Sequence, residues 1–288
     1  MKRILLSLLT VGAVGALAFG ASQAFFSDTE TSQDNTFIAG ELDLKVDSEC
    51  HYWQDDSDIG CGTGEGNGNW ALSDLVPGVH KFFNFDDVKP GDYGEDTVSL
   101  HVFDNDAWGK LVISGIVDSD NGCTEPEGES SDLDCNPTPA PGDGELRENL
   151  SFWVWLDQGA IAGFQNMDSA GNPIDADPVI PDIQLPDPTE GDNIWQDDES
   201  EPALITPGQI DSGGETHNIW QGLALADVTY DGPGLTADGH MVGSITYYFG
   251  IGWDLPDTVG NEVQSDIFGA DMTFEVEQYR NNPTPFGP

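Results

Sequence analysis

Positive charge is what this chain lacks most: 8 Lys and Arg stand against 53 Asp and Glu, a formal charge of −45 over 288 residues. Lys2 and Arg3 lie in an apolar leader, so without it the chain carries 8 − 2 = 6 basic residues and a charge of 6 − 53 = −47. Such a field repels phosphate backbones and anionic membrane surfaces, which excludes nucleic acid as a partner. Solubility, with repulsion screened in salty surroundings, is the general account of the acidity; divalent-cation binding is the functional one. Histidine is also scarce. His51, His80, His101, His217 and His240 are the five, and none has a second histidine at i+4. The H-E-x-x-H arrangement that puts two imidazoles on one helical face is therefore missing. No G-x-S-x-G elbow occurs either, and no enzyme is expected.

Long apolar runs are missing beyond residue 24. Ile4 to Phe19 is apolar behind Lys2 and Arg3, and Ser22-Gln23-Ala24 supplies small residues at the −3 and −1 positions. This is the grammar of a secretory signal cut between Ala24 and Phe25. The rival, a retained anchor, needs a span of ~20 residues, and Ser7, Thr10, Gly12 and Gly15 interrupt this one.

Cysteine is limited to Cys50, Cys61, Cys123 and Cys135. Four cysteines allow three pairings. Export into an oxidising compartment and the Asp/Gly-rich surroundings favour the local pairs Cys50–Cys61 and Cys123–Cys135. Each bridge would close a short loop, worth roughly 3 kcal/mol in the chain-entropy model. Zinc is the competing idea, but no C-x₂-C spacing supports it.

Helical periodicity is weak; what is present is alternation. Leu42 to Asp47 alternates apolar and charged residues, Thr97 to Val102 puts Val98, Leu100 and Val102 on one face, and Met272, Phe274 and Val276 do the same near the end. Ser151 to Leu156 sets Phe152, Val154 and Leu156 opposite Trp153 and Trp155, while Leu111 to Val117 is continuously apolar and suits a central strand. Met241 to Trp253 is a long strand in which Gly243, Gly250 and Gly252 suggest bends or bulges. Only Leu72–Val76, Glu145–Leu150 and Leu223–Val228 suit a helical turn. The expectation is an all-β protein: an antiparallel β-sandwich of jelly-roll type, with long acidic insertions at 48–70, 118–146 and 165–216. Its organisation reads as a signal peptide (1–24), an N-terminal arm (25–41) and a single domain (42–288).

Three stretches resemble the TasA/camelysin family of exported proteins. The first is the junction "ASQAFFSDTETSQDNTFIAGELDLKVD", with Phe26-Ser27-Asp28 and then Asn35, Phe37, Ala39-Gly40 and Leu42-Asp43-Leu44. The second is "VKPGDYGEDTVSLHVFDNDAWGKLVI"; the third is "VGNEVQSDIFGADMTFEVEQYRNN", where Gly260-Asn261 precede Gln264-Ser265-Asp266. Together they cover about a third of the chain, and the insertions lie outside them. The resemblance implies a jelly-roll fold, a leader cut by a SipW-type signal peptidase, and secretion. For some members it implies assembly into matrix filaments, alone or with a minor assembly protein. A subunit's arm then adds as a strand to its neighbour, which would give Phe25, Phe26, Phe37 and Ile38 a place to bury. No L-P-x-T-G signal is visible, so surface retention is expected from assembly.

Other functions are weighed beside this one. The resemblance also implies, for some members, a camelysin-type metallo-endopeptidase. Asp118-Ser119-Asp120-Asn121-Gly122 opens like a calcium loop, with Glu127 and Glu129 following, although Cys123 stands where the EF-hand pattern needs glycine. Asp55, Asp56 and Asp58 form a similar acidic group. Trp153 and Trp155 would suit a carbohydrate-binding face, unless an insertion covers them as core.

Overall fold

Alternation carries into strands over most of the chain. The computed structural model describes residues 42–55, 57–129, 142–157, 195, 202–229 and 234–287, all within one compact unit, Gly40–Pro288. In order these are β1 (Asp43–Gln54), β2 (Ser57–Asp58), β3 (Trp70–Ser73), β4 (Tyr93–Phe103), β5 (Ala107–Ser119), α1 (Glu125–Gly128) and α2 (Leu146–Asn149). There follow β6 (Ser151–Leu156), β7 (Ala203–Gly208), β8 (Glu215–Asn218), α3 (Ile219–Thr229), β9 (Thr246–Asp254) and β10 (Ile267–Gln278).

The strands form two antiparallel sheets, one of 7 strands in the order β2-β1-β4-β9-β6-β7 with β3 also on β1, and one of 3 in the order β10-β5-β8. Both contribute to one core. Val98, Leu100 and Val102 of β4, Tyr247, Phe249 and Ile251 of β9, and Leu111 and Ile113 of β5 are essentially solvent-free within it. At one side α3 bridges the sheets with buried Ile219, Leu223 and Ala226. At another, Phe82 packs against Trp70 next to β1 and against Phe274 of β10, with ring centroids 5.2 and 6.0 Å apart. Among the described residues no helix is long and apolar enough to cross a membrane.

Four sequence expectations are corrected. The stretch expected as an insertion from residue 48 begins instead as strand, because Ser48, Cys50 and Tyr52 continue the buried series started by Val46. Within the stretch 165–216, β7 and the start of β8 are sheet, and Ile205 and Ile210 are buried; Pro207-Gly208 hid the strand pattern. Leu72–Val76 holds no helix, since β3 takes its first two residues.

The fourth concerns the glycines of β9, whose strand begins only at Thr246 after Ser244 adopts left-handed backbone (φ 69°). Gly250 and Gly252 make no bulge, for pairing with β4 and β6 runs through them without a shift. They are there because the rings of Trp155 and Trp153 lie directly over them, where any Cβ would overlap the indoles.

Candidate functional site

Three carboxylates converge beside the end of β5. Asp118 and Asp120 share a face by the two-residue repeat of β5, and both are buried. Asp118 is taken by Arg147 of α2, whose Nε donates to Oδ2 at 2.7 Å. Asp120 instead groups with Glu145, at the start of α2, and Asp266, just before β10. One carboxylate oxygen from each lies within 4.8 Å of the other two.

Local structure fixes Asp266. Ser265 adopts left-handed backbone (φ 64°) and donates its hydroxyl to Gly122 O at 3.0 Å. That turn brings Asp266 Oδ2 under the N–H groups of Glu145 and Leu146, at 2.6 and 2.9 Å. Its Oδ1 is buried without a hydrogen-bond partner. Burial pushes the Asp266 carboxyl up to about 7, helped by a hydrogen bond shared with Asp120 and by the charge of Glu145, against the two backbone donors. Carboxylates this close cannot all ionise cheaply. Such a group can share a proton or take a hard cation with oxygen ligands, and its donor set is one that suits Ca²⁺.

The other residues expected at a calcium loop are not in this group, although the Glu127 carboxylate accepts from Ser265 Oγ beside it at 3.2 Å. Glu127 is buried in a capping box, accepting the Thr124 N–H at 2.7 Å while its own N–H donates to Thr124 Oγ1. Glu129, the residue that follows that short helix, is exposed. Glu145 and Asp266 were missed as ligands because they come together across 121 residues. Asp266 stood in the quoted Ser265-Asp266 pair; nothing local marked Glu145.

The second feature is an open sheet edge. Among the described residues β10, a strand of 12 residues, pairs with β5 alone, with a register shift between Gly269 and Asp271. Phe268, Met272, Phe274 and Val276 point inward, and all but Phe274 are partly exposed; no further described strand pairs over them. Ile267 at the head of the strand is 44 % exposed. The remaining described strands at sheet edges are far shorter, with 6 residues in β7, 4 in each of β3 and β8 and 2 in β2.

Cys50 and Cys61 are joined as a disulfide. Cys123 is disulfide-bonded too, while Cys135 lies outside the described residues. Ala24, Phe25, Phe26, Phe37 and Ile38, the cleavage site and arm, also lie outside them, as does Asp56; Asp55 and Asp58 flank it without joining the carboxylate group. Trp155 is 1 % exposed and offers no ring to a sugar, whereas Trp153 is half-buried beside Trp195, with centroids 6.4 Å apart. The histidines bond to nearby groups: His217 to Glu215 and His240 to Asp238, at 2.7 and 2.6 Å, His101 to Ser99 at 2.9 Å, and His80 to the Val76 N–H at 2.8 Å. His51 lies between Glu49 and Asp58 at 3.9 and 3.7 Å.

The described residues form a mostly β protein of two antiparallel sheets, with a carboxylate cluster at the head of a long edge that no further described strand pairs with. Compared with known proteins, the chain matches no family model and no curated sequence.

Proposed function

We propose that the chain is a secreted structural protein, a self-assembling subunit of an extracellular filament, built as a jelly-roll sandwich and joined by its N-terminal arm. The observation that carries this reading is the open edge of β10, whose inward apolar row is only partly covered. An edge strand offers unpaired N–H and C=O groups to a foreign strand, and alternate side chains of that strand then enter the apolar row. Residues 25–41, once freed by cleavage after Ala24, span about 55 Å when extended, against about 40 Å for β10. Burying Phe25 and Phe26 would contribute roughly 3–6 kcal/mol in gross terms. Ordering the arm opposes this by about 1–2 kcal/mol per residue, so the backbone pairing is needed as well. A contact between an arm and a different surface does not close on itself, which gives a fibre.

The experiment compares the chain from residue 25 with one lacking residues 25–34 by negative-stain microscopy. Filaments from the first and none from the second are expected. Filaments from both would remove the arm from the mechanism.

A second reading is calcium binding at Asp120, Glu145 and Asp266, favoured by the convergence of their oxygens and by the partnerless Oδ1 of Asp266. A melting temperature that rises with CaCl₂ and falls back with chelator is its expected signature; no response to either would dismiss it.

A further inference from the structure

The arm and the edge it would join carry charge of the same sign. Residues 25–41 contain Asp28, Glu30, Asp34 and Glu41 and no Lys or Arg. On β10 the outward row holds Asp271, Glu275 and Glu277, and Asp120, Glu145 and Asp266 stand at its head. The nearby cations are few and mostly engaged. Lys110 of β5 pairs with Glu275 at 2.9 Å, and Arg147 of α2 with Asp118 at 2.7 Å. Lys81, beside the Phe82 that packs on β10, donates to Asn84 at 3.1 Å. Arg280 follows the end of the strand. Glu277 is held mainly by N–H donors of Asn282 and Phe286, with Lys110, already paired to Glu275, as the cation that acts on it.

Like charges facing across a strand pair oppose pairing. Here they add to repulsion between whole subunits of the same sign. Strands pair at about 4.8 Å. The Debye length is about 30 Å at 10 mM salt and about 3 Å at 1 M, so only concentrated salt confines the repulsion to immediate neighbours.

Resting on the filament reading above, we propose that the joint is gated by cations: the arm adds to β10 of a second copy only when inorganic cations screen or bridge the facing carboxylates. The subunit is then released as a monomer into dilute surroundings and polymerises where cations are concentrated. Asp28, Glu30 and Asp34 of the arm set the threshold, since each adds a negative charge to the strand that must approach the acidic row of β10.

The test follows light scattering and negative-stain microscopy of the chain from residue 25 across NaCl from about 10 mM to about 2 M. A variant carrying Asp28→Asn, Glu30→Gln and Asp34→Asn is run beside it, with the 25–34 deletion as control. Monomers at low salt, polymer at high salt, and a threshold lowered roughly two-fold or more in the triple variant are expected. Calcium acting below the sodium threshold at matched ionic strength identifies bridging, and equal action identifies screening; each supports the gate. An unchanged threshold in the triple variant, or polymer equally abundant at low and high salt, overturns the gate while leaving the arm reading intact. Polymer from the deletion, or none at any salt, overturns the arm reading itself.

Discussion

Ser48 Oγ lies 2.5 Å from Asp96 Oδ1 and 2.9 Å from Gly68 O, in the buried layer between the sheets. A hydroxyl has one proton, so Ser48 cannot donate to both. The consistent arrangement has Asp96 protonated and donating to Ser48, which donates on to Gly68. Full burial pushes the Asp96 carboxyl well above its ordinary value, in keeping with that chain.

A raised folded value means that the stabilising contribution is fully present below the ordinary 3.8 and is lost as pH rises through the folded value. Asp96→Asn, which keeps the shape and a donor toward Ser48, should flatten this loss. Melting temperatures at acidic and alkaline pH are the check: the variant should lose less than the parent. Asp96→Ala should cost about 1–3 kcal/mol at acidic pH, because it strands Ser48 and leaves a hole.

Asp266 follows the same sign with a readable window. Its value of about 7 against an ordinary 3.8 makes the cation-free chain lose stability as pH rises from about 4 to about 7. On the calcium reading the ion takes the place of the proton, so added CaCl₂ should raise the melting temperature more at pH 8 than at pH 5. A hundredfold excess over Kd corresponds to about 2.7 kcal/mol. Asp266→Asn keeps an acceptor for the Glu145 and Leu146 N–H groups, and should remove both the pH slope and the calcium response.

Gly250 has no room for a side chain, because the buried ring of Trp155 occupies the place of its Cβ. Gly250→Ala should destabilise by about 1–3 kcal/mol in denaturant titration. Gly66→Ala is the control, since its nearest neighbour would be Val79 O at 3.8 Å, an ordinary contact.

The Cys50–Cys61 bridge braces the packing around it. Gly68, in left-handed backbone (φ 77°), fits so closely against Cys50 and Phe82 O that no Cβ is tolerated, and Cys50 N donates to Asn69 Oδ1 at 3.3 Å. Replacing both cysteines by serine should cost roughly 3 kcal/mol. A melting temperature equal to the parent's would show that packing alone holds this corner.

Strands whose faces differ in polarity were legible from sequence. β6 coincides with the expected 151–156, and the inward rows of β4 and β10 are those that alternation predicts. What failed did so for tertiary reasons. Glu95 and Thr97 lie on the face opposite Val98 yet are buried, so their polarity did not mark solvent. Gly250 and Gly252 read as strand-breakers because the indoles that require them lie on another strand. The carboxylate cluster was half legible: Asp120 stood in an acidic run, whereas Glu145 and Asp266 reach it through chain reversals that no local spacing encodes.

The most direct measurement of the central claim is amide hydrogen exchange, residue by residue, on a chain lacking residues 25–34, with and without a peptide of residues 25–41 in concentrated salt. The account predicts that slowed exchange appears along Ile267–Gln278, at the amides not already bonded to β5. Protection confined to β7, β8 or the β2–β3 margin, with β10 unchanged, would contradict it.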